Sequence, residues 1–184
     1  MLEGMDLSGA NLERALLAGT GFQGASMAGT DLKRSELTRT SFRGADLSGA
    51  NFEKALASRT NFEGAKLVGA RLVKAEFHRA NFKNADLSKA DLSKGELLRN
   101  DFTGAALADA DFTDAILVRS IFSGARLAGV KLDGAYMYKA RIEGADLTGT
   151  TGLIQSQLDL TCGDESTKLP PDLLAPKSWP CGED

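Results

Sequence analysis

Ser41-Phe42-Arg43-Gly44-Ala45, followed by Asp46-Leu47-Ser48-Gly49-Ala50, decides how this chain folds. Each five-residue unit puts a large apolar residue second and a small residue fifth. Outward from this pair, the pattern runs from Leu2 to Leu147 without insertion or deletion. Every position ending in 2 or 7 in that range is Leu, Phe, Met or Ile, with Ala57 the exception. Positions ending in 5 or 0 hold Ala, Thr, Ser or another small residue, apart from Met5, Asn100 and Val130. A helix needs apolar residues every three or four positions, and a two-sided strand needs strict alternation. A period of five is neither, so each unit reads as a short extended side followed by a corner.

A second period lies on the first. Phe22, Phe42, Phe62, Phe82, Phe102 and Phe122 stand twenty residues apart, while Leu or Met fills the column Leu7, Met27, Leu47 through Leu147. Four units therefore make one turn, and the tube is square. Like residues should stack at the strand spacing of about 4.8 Å, giving about 7.5 coils and a rod about 35 Å long. Internal repeats of this kind build solenoids, in which each coil is stabilised by its neighbours.

The corners carry their own signal. Gly9, Gly29, Gly49, Gly69 and Gly129 mark one of them, and Gly24, Gly44, Gly64, Gly104 and Gly124 the next. A type II turn needs positive φ at its third residue, hence Gly or Asn. The other two corners carry Arg14, Arg34, Lys54, Lys74 and Lys94, and Arg39, Arg59, Arg79, Arg99, Arg119 and Lys139. Such residues seldom accept positive φ, so these corners are expected to be a different, more open turn.

Ala45-Asp46-Leu47-Ser48-Gly49 and Ala145-Asp146-Leu147-Thr148-Gly149 match the consensus A-(D/N)-L-x-x. The chain thereby resembles the pentapeptide repeat family over residues 2 to 150. The resemblance implies an all-β fold, a right-handed quadrilateral parallel β-helix. It also implies a bacterial protein-interaction module rather than one fixed activity, since the fold hosts several roles. Some members are fluoroquinolone-resistance proteins that resemble duplex DNA and occupy a type II topoisomerase. That role needs a strongly acidic rod, whereas residues 1–150 hold 20 bases and 19 acids. DNA mimicry is therefore the alternative reading and not the first.

The 184 residues divide into a β-helix over 1–150 and a capping helix with a Pro-rich tail over 151–184. Ile154 and Leu158 share a face, which predicts a short helix within Thr151–Thr161, with Thr150 or Thr151 as N-cap. Pro170, Pro171, Pro176 and Pro180 make further regular structure unexpected. The helix should cap the last coil. The Pro-rich segment should fold back over an outward patch of Leu98, Ile116, Val118, Ile121, Tyr136 and Tyr138; left uncovered, that patch would mark a partner site. The N-terminal coil has no such cap, so end-to-end homodimers through Leu2, Met5 and Leu7 are expected. Small residues two before the Phe column, among them Thr40, Thr60 and Ser120, should face inward. Asn100 should be an interior amide bonded to coil backbone.

Met1-Leu2-Glu3-Gly4 opens with neither a basic nor an apolar leader region, and no run of 18 apolar residues occurs. Cys162 and Cys181 could bridge in an oxidising compartment; free thiols in a reduced cytoplasm are the reading adopted.

Catalytic chemistry finds little support. His78 is the single His and stands outward beside Arg79. Neither Cys has a neighbouring His, no zinc spacing occurs, and the glycines are corner residues. Asp91 and Asp111, on successive coils, would lie at about the 5 Å separation of retaining glycosidases, so a carbohydrate-active enzyme is a remote alternative. Asp109, Asp111 and Asp114 form a weak candidate for a divalent cation. No enzyme activity, cofactor or metal is expected. The best-organised surface is the row Arg39, Arg59, Arg79, Arg99, Arg119 and Lys139, with Leu98, Val118, Tyr136 and Tyr138 beside it. It is read as the surface for a protein partner. Nucleic acid is disfavoured because aromatic residues for base stacking are absent. Cross-coil salt bridges to Glu36, Glu76, Glu96, Asp31, Asp91 and Asp111 are the expected fate of the basic rows themselves.

Overall fold

The computed structural model describes residues 2–182. Its units close into a square tube in which each first-position residue pairs in parallel with the residue twenty later. The pairs run from Asp6↔Ser26 through Asp46↔Lys66 to Lys131↔Thr151. Most units make the same backbone hydrogen bonds. Leu47 N donates to Lys66 O at 2.7 Å, Gly49 N to Val68 O at 2.9 Å, and Ala50 N to Leu47 O at 3.0 Å, closing the turn. A side yields one bridge per coil because the chain turns immediately afterwards, so no side lengthens into an ordinary strand.

The basic corners correct one expectation. Arg39, Arg59, Arg79 and Arg99 adopt φ of 56–59°, close to the 64–65° of Gly24, Gly44 and Gly64. Arg39 N donates to Ser58 O at 2.9 Å, just as Gly44 N donates to Glu63 O at 2.9 Å. The coil-to-coil ladder thus imposes one corner geometry on all four sides. Left-handed backbone costs an L-residue about 1–2 kcal/mol, less than losing the ladder hydrogen bonds on both sides of the turn.

Inside, the Phe column is continuous. Successive rings from Phe22 to Phe122 stack with centroids 4.8–5.2 Å apart and nearly parallel. Phe52 and Phe77 meet this stack edge-on. Ala57 is the small member of its column, and the next coil supplies Phe77, whose ring lies 5.7 Å from Phe62 and 6.3 Å from Phe52. Thr40, Thr60 and Ser120 hydroxyls donate to Leu17, Leu37 and Leu97 carbonyls of the preceding coil at 2.8, 2.7 and 2.5 Å.

Asn100 is the interior amide expected. Its Oδ1 accepts from Ala80 N at 2.8 Å, at a corner where Ala80 N does not close the usual turn onto Phe77. Asn100→Leu should therefore lower stability, because a buried N–H left without an acceptor costs ~1–3 kcal/mol. Nδ2 of Asn100 has no partner of its own, so its removal places the loss at the low end. Guanidinium unfolding measures this, and an unchanged midpoint would show that the Ala80 N–H does not depend on Asn100.

The pairing does not stop with the five-residue pattern. Arg141 pairs with Cys162 and Asp146 with Lys168, one and two residues out of the twenty-residue step. One extra residue is absorbed at α1 (Gln155–Leu158), a single turn and shorter than the helix expected; the second lies between Cys162 and Lys168, at the turn where Thr167 N donates to Asp164 O at 3.1 Å. Its N-cap is Ile154, not Thr150 or Thr151. Ile154 N donates to Gln157 Oε1 at 2.9 Å, and Gln157 Nε2 donates to both Leu132 O and Ala135 O at 2.8 Å. One buried amide thus satisfies the Ala135 carbonyl, which the backbone of a further regular coil would have met as Tyr136 N meets Ala115 O, and adds a second donor to Leu132 O. Leu158 is fully buried, and Leu153, Leu169, Leu173 and Trp179 pack half-buried against the core.

Trp179 finishes the Phe column. Cys162 takes the bridging position, so Gly163 stands where the large residue belongs. A Cβ built on Gly163 would lie 2.5–2.7 Å from the Trp179 ring; the indole occupies that space and donates from Nε1 to Thr161 O at 2.8 Å. Cys162 and Cys181 are joined in a disulfide, which corrects the expectation of free thiols. Disulfides persist in oxidising compartments, so the ground for a cytoplasmic reading is removed. At the opposite end, Leu2, Leu7, Leu12 and Leu17 are only half-buried and Met5 is exposed. Among the described residues no helix is long and apolar enough to cross a membrane.

Candidate functional site

The face bearing Glu36 and Thr38 collects the outward apolar residues. Leu16, Leu56, Ile116, Tyr136 and Tyr138 are exposed along it, and Leu98 and Val118 are half-buried. Tyr136 and Tyr138, on either side of the inward Met137, hold parallel rings with centroids 6.4 Å apart. The Pro-rich segment was expected to cover this patch, and the structure corrects that. Trp179 and Leu169 draw the segment across the end of the tube, leaving Tyr138 42% and Tyr136 48% exposed.

The two basic corners border this same face. Cross-coil salt bridges were their expected fate, and for most of them this is also corrected. Arg34, Lys54, Lys74 and Lys94 on one edge, and Arg39, Arg59, Arg79 and Arg99 on the other, are exposed. None of the eight enters an ion pair with a described residue. Apart from Arg14–Glu13 at 3.7 Å at the first of these corners, the ion pairs among the described residues are made on the flat sides, such as Lys33–Glu53 at 3.4 Å, Lys83–Asp101 at 3.1 Å and Lys131–Asp111 at 3.2 Å. The reason is positional. A vertex carries its side chain beyond the carboxylates set at the first and third positions of each side. At the C-terminal end the same edge opens into a groove of about 520 Å³, lined by Arg99, Arg119, Lys139, Arg141, Ile121 and the disulfide.

The carboxylates behave as structural groups. Asp46, Asp146 and Asp164 lie below the usual carboxylate range because Ser48, Thr148 and Ser166 hydrogen-bond to them. Asp91 and Asp111 do pair across successive coils. Asp91 Oδ1 accepts from both N and Oγ of Ser93 at 3.1 and 2.6 Å. At Asp111, burial alone would raise the pKa, but hydrogen bonds from Thr113 and the Lys131 ammonium outweigh it and hold the group ionised. A retaining glycosidase needs one carboxyl kept protonated as general acid, and a depressed pKa at Asp111 works against that role. Asp109 and Asp114 sit at two different corners with positive φ, packed beneath Gly129 and Gly134. They do not gather with Asp111 into a cation site. Among the described residues, the three acidic or imidazole groups that do converge are Glu76, His78 and Glu96, on the apolar face. Sequence reading left His78 as a solvated surface residue; its spacing to Glu76 and, one coil on, to Glu96 was the available signal.

Comparison with known proteins agrees with the geometry. A profile described as "Pentapeptide repeat region" matches residues 35–112. A second, "Pentapeptide repeats (8 copies)", matches 2–34, 99–134 and 122–151. No curated protein matches the chain. Among solved structures, full-length QnrB1, a plasmid-mediated fluoroquinolone resistance protein, aligns with a TM-score of 0.66 at 15% identity, covering 92% of this chain and 86% of that one. HetL, involved in heterocyst differentiation regulation in the cyanobacterium Nostoc sp. strain PCC 7120, aligns at 23% identity over 96% and 92% of the two chains, with a TM-score of 0.27.

Proposed function

Since the chain belongs to the pentapeptide repeat family, whose members fold as right-handed quadrilateral β-helices, we propose that it is a non-enzymatic docking module. The working face is the one bearing Tyr136, Tyr138, Leu98 and Val118, and the row Arg39, Arg59, Arg79, Arg99, Arg119 and Lys139 borders it. The observation that carries this reading is the set of eight exposed vertex cations, Arg34, Lys54, Lys74 and Lys94 on one side of an exposed apolar strip and Arg39, Arg59, Arg79 and Arg99 on the other, that make no ion pair with a described residue. A cation already paired with a neighbour offers a partner little; eight exposed cations without one attract an anionic surface over about a Debye length. The apolar strip adds desolvation on contact, and its aromatic and Arg content is the composition of interface hot spots. An acidic protein surface with apolar side chains meets both features. A topoisomerase regulator of DNA-like charge is not favoured, because the edges of this rod are basic. The Cys162–Cys181 disulfide supports an oxidising compartment as its working environment.

The test is capture of binding proteins by the immobilised chain and by a triple variant, Arg59→Glu, Arg79→Glu and Arg99→Glu. Proteins held by the wild type in about 0.15 M salt should be absent from the variant. The variant's own stability should move little, since surface positions without partners usually stay within about 0.5 kcal/mol. Equal retention of the same proteins by the variant would remove this face from the proposal.

A further inference from the structure

At the middle of that face the structure holds a cluster whose chemistry differs from its surroundings. Glu76 and Glu96 pair directly across successive coils, and His78 stands two residues along from Glu76 on the same side. One ligand atom from each of the three lies within 4.8 Å of the others. His78 Nε2 is 3.7 Å from Glu96 Oε2, yet it is shut off from solvent and has no hydrogen-bond partner. Glu76 makes no ion pair or side-chain hydrogen bond with any described residue. Stacked carboxylates elsewhere on the rod have a local partner, as Asp111 has in Lys131 and Asp91 in Ser93. Here two carboxylates one rung apart have neither a hydroxyl nor an ammonium between them. Leu56 below Glu76, and Ile116 and Leu98 above Glu96 and His78, fill the adjoining outward positions.

We propose that Glu76, His78 and Glu96 bind a divalent transition-metal ion, of which zinc is the representative. One imidazole nitrogen with two carboxylate oxygens is a donor set for zinc and its neighbours. Magnesium and calcium favour all-oxygen surroundings and would gain nothing from His78. The ion resolves two features at once: it gives the occluded Nε2 a lone-pair acceptor, and it neutralises the stacked carboxylates. Arg79, Arg99, Lys74 and Lys94 stand at the flanking vertices; they are exposed, and water and salt screen them from an ion in direct coordination. Three protein ligands leave a position for water, or for a side chain of whatever docks on this face. The site itself does not depend on the docking reading.

The experiment uses the full, tag-free chain in a non-chelating buffer, titrated with zinc chloride and separately with magnesium chloride. Because His78 is the single His, its ring protons report the site alone in an NMR titration. Zinc should shift or broaden those resonances and bind at one ion per chain by calorimetry, whereas magnesium should leave them unmoved. His78→Ala and Glu76→Gln should each weaken zinc binding at least tenfold, with the circular dichroism spectrum unchanged. Unmoved His78 resonances in the wild type, or equal zinc binding by His78→Ala, would overturn the assignment. The wild-type titration decides the matter even if a variant folds poorly.

Discussion

Phe62→Ala is expected to destabilise the protein by ~3–5 kcal/mol, the range for a buried aromatic truncated in a core that cannot collapse. The ring is fully buried and meets four others: Phe42 and Phe82 in its own column, Phe52 and Phe77 at its edges. Neighbouring coils cannot close the hole, because their spacing is fixed by hydrogen bonds such as Phe62 N to Asn81 O at 2.7 Å and Phe42 N to Asn61 O at 2.7 Å. Aromatic contacts add ~0.5–1.5 kcal/mol per pair beyond area burial. In a solenoid the loss is also a loss of coupling between neighbours. Denaturant unfolding of the variant should therefore shift to a lower midpoint and broaden, as the two halves begin to unfold separately. A midpoint within experimental error of the wild type would contradict the packing described.

Cys181→Ser should cost about 3 kcal/mol, from a cross-link whose partners are 19 residues apart. The mechanism is visible in what the bond holds. It ties the tail across the end of the tube, where the Trp179 ring fills the place left by Gly163. Without the bond, Trp179 is retained by its Nε1 hydrogen bond to Thr161 O and by its packing alone. Trp179 is the single Trp, so its fluorescence reports the cap directly. Emission should move to longer wavelength in Cys181→Ser, and in the wild type after reduction. Gly163→Ala provides the complement, since its Cβ would displace the ring while leaving the disulfide in place. If reduction changes neither the emission nor the unfolding midpoint, the tail does not depend on the disulfide.

The square tube, its four columns and the buried role of Asn100 were legible because inward positions admit few residues and repeat on a fixed step. The basic corners were misread for a physical reason. Propensity at Arg39 or Arg79 argues against positive φ, and it is overruled by a ladder whose hydrogen bonds run the same way through every corner. The coil beyond Thr151 was hidden because α1 consumes one extra residue and the turn at Asp164–Thr167 a second. Leu158 and Leu169 then fall out of step with Met137 and Leu147, although they continue the same columns. The two flanking rows were visible as charge, but that eight of their cations, Arg34 to Lys94 and Arg39 to Arg99, make no ion pair with a described residue was not. That distinction depends on how far a vertex stands from the carboxylates of a flat side. The convergence of His78 with Glu76 and Glu96 needed the coil-to-coil pairing as well as the order along the chain.

The uniform corner geometry has a consequence for positional specificity. Along Arg34 to Lys94 and along Arg39 to Arg99, cations recur at one per coil, so an anionic partner moved along these stretches by one repeat meets nearly the same charges. On the docking reading proposed above, the edges would hold such a partner without fixing where along the rod it stops. That choice falls to whatever breaks the translational sameness: the Tyr136–Tyr138 pair near one end and the acidic interruption at Glu76 and Glu96 midway. A binder that ignores those marks would slide; one that reads them would sit at a single address.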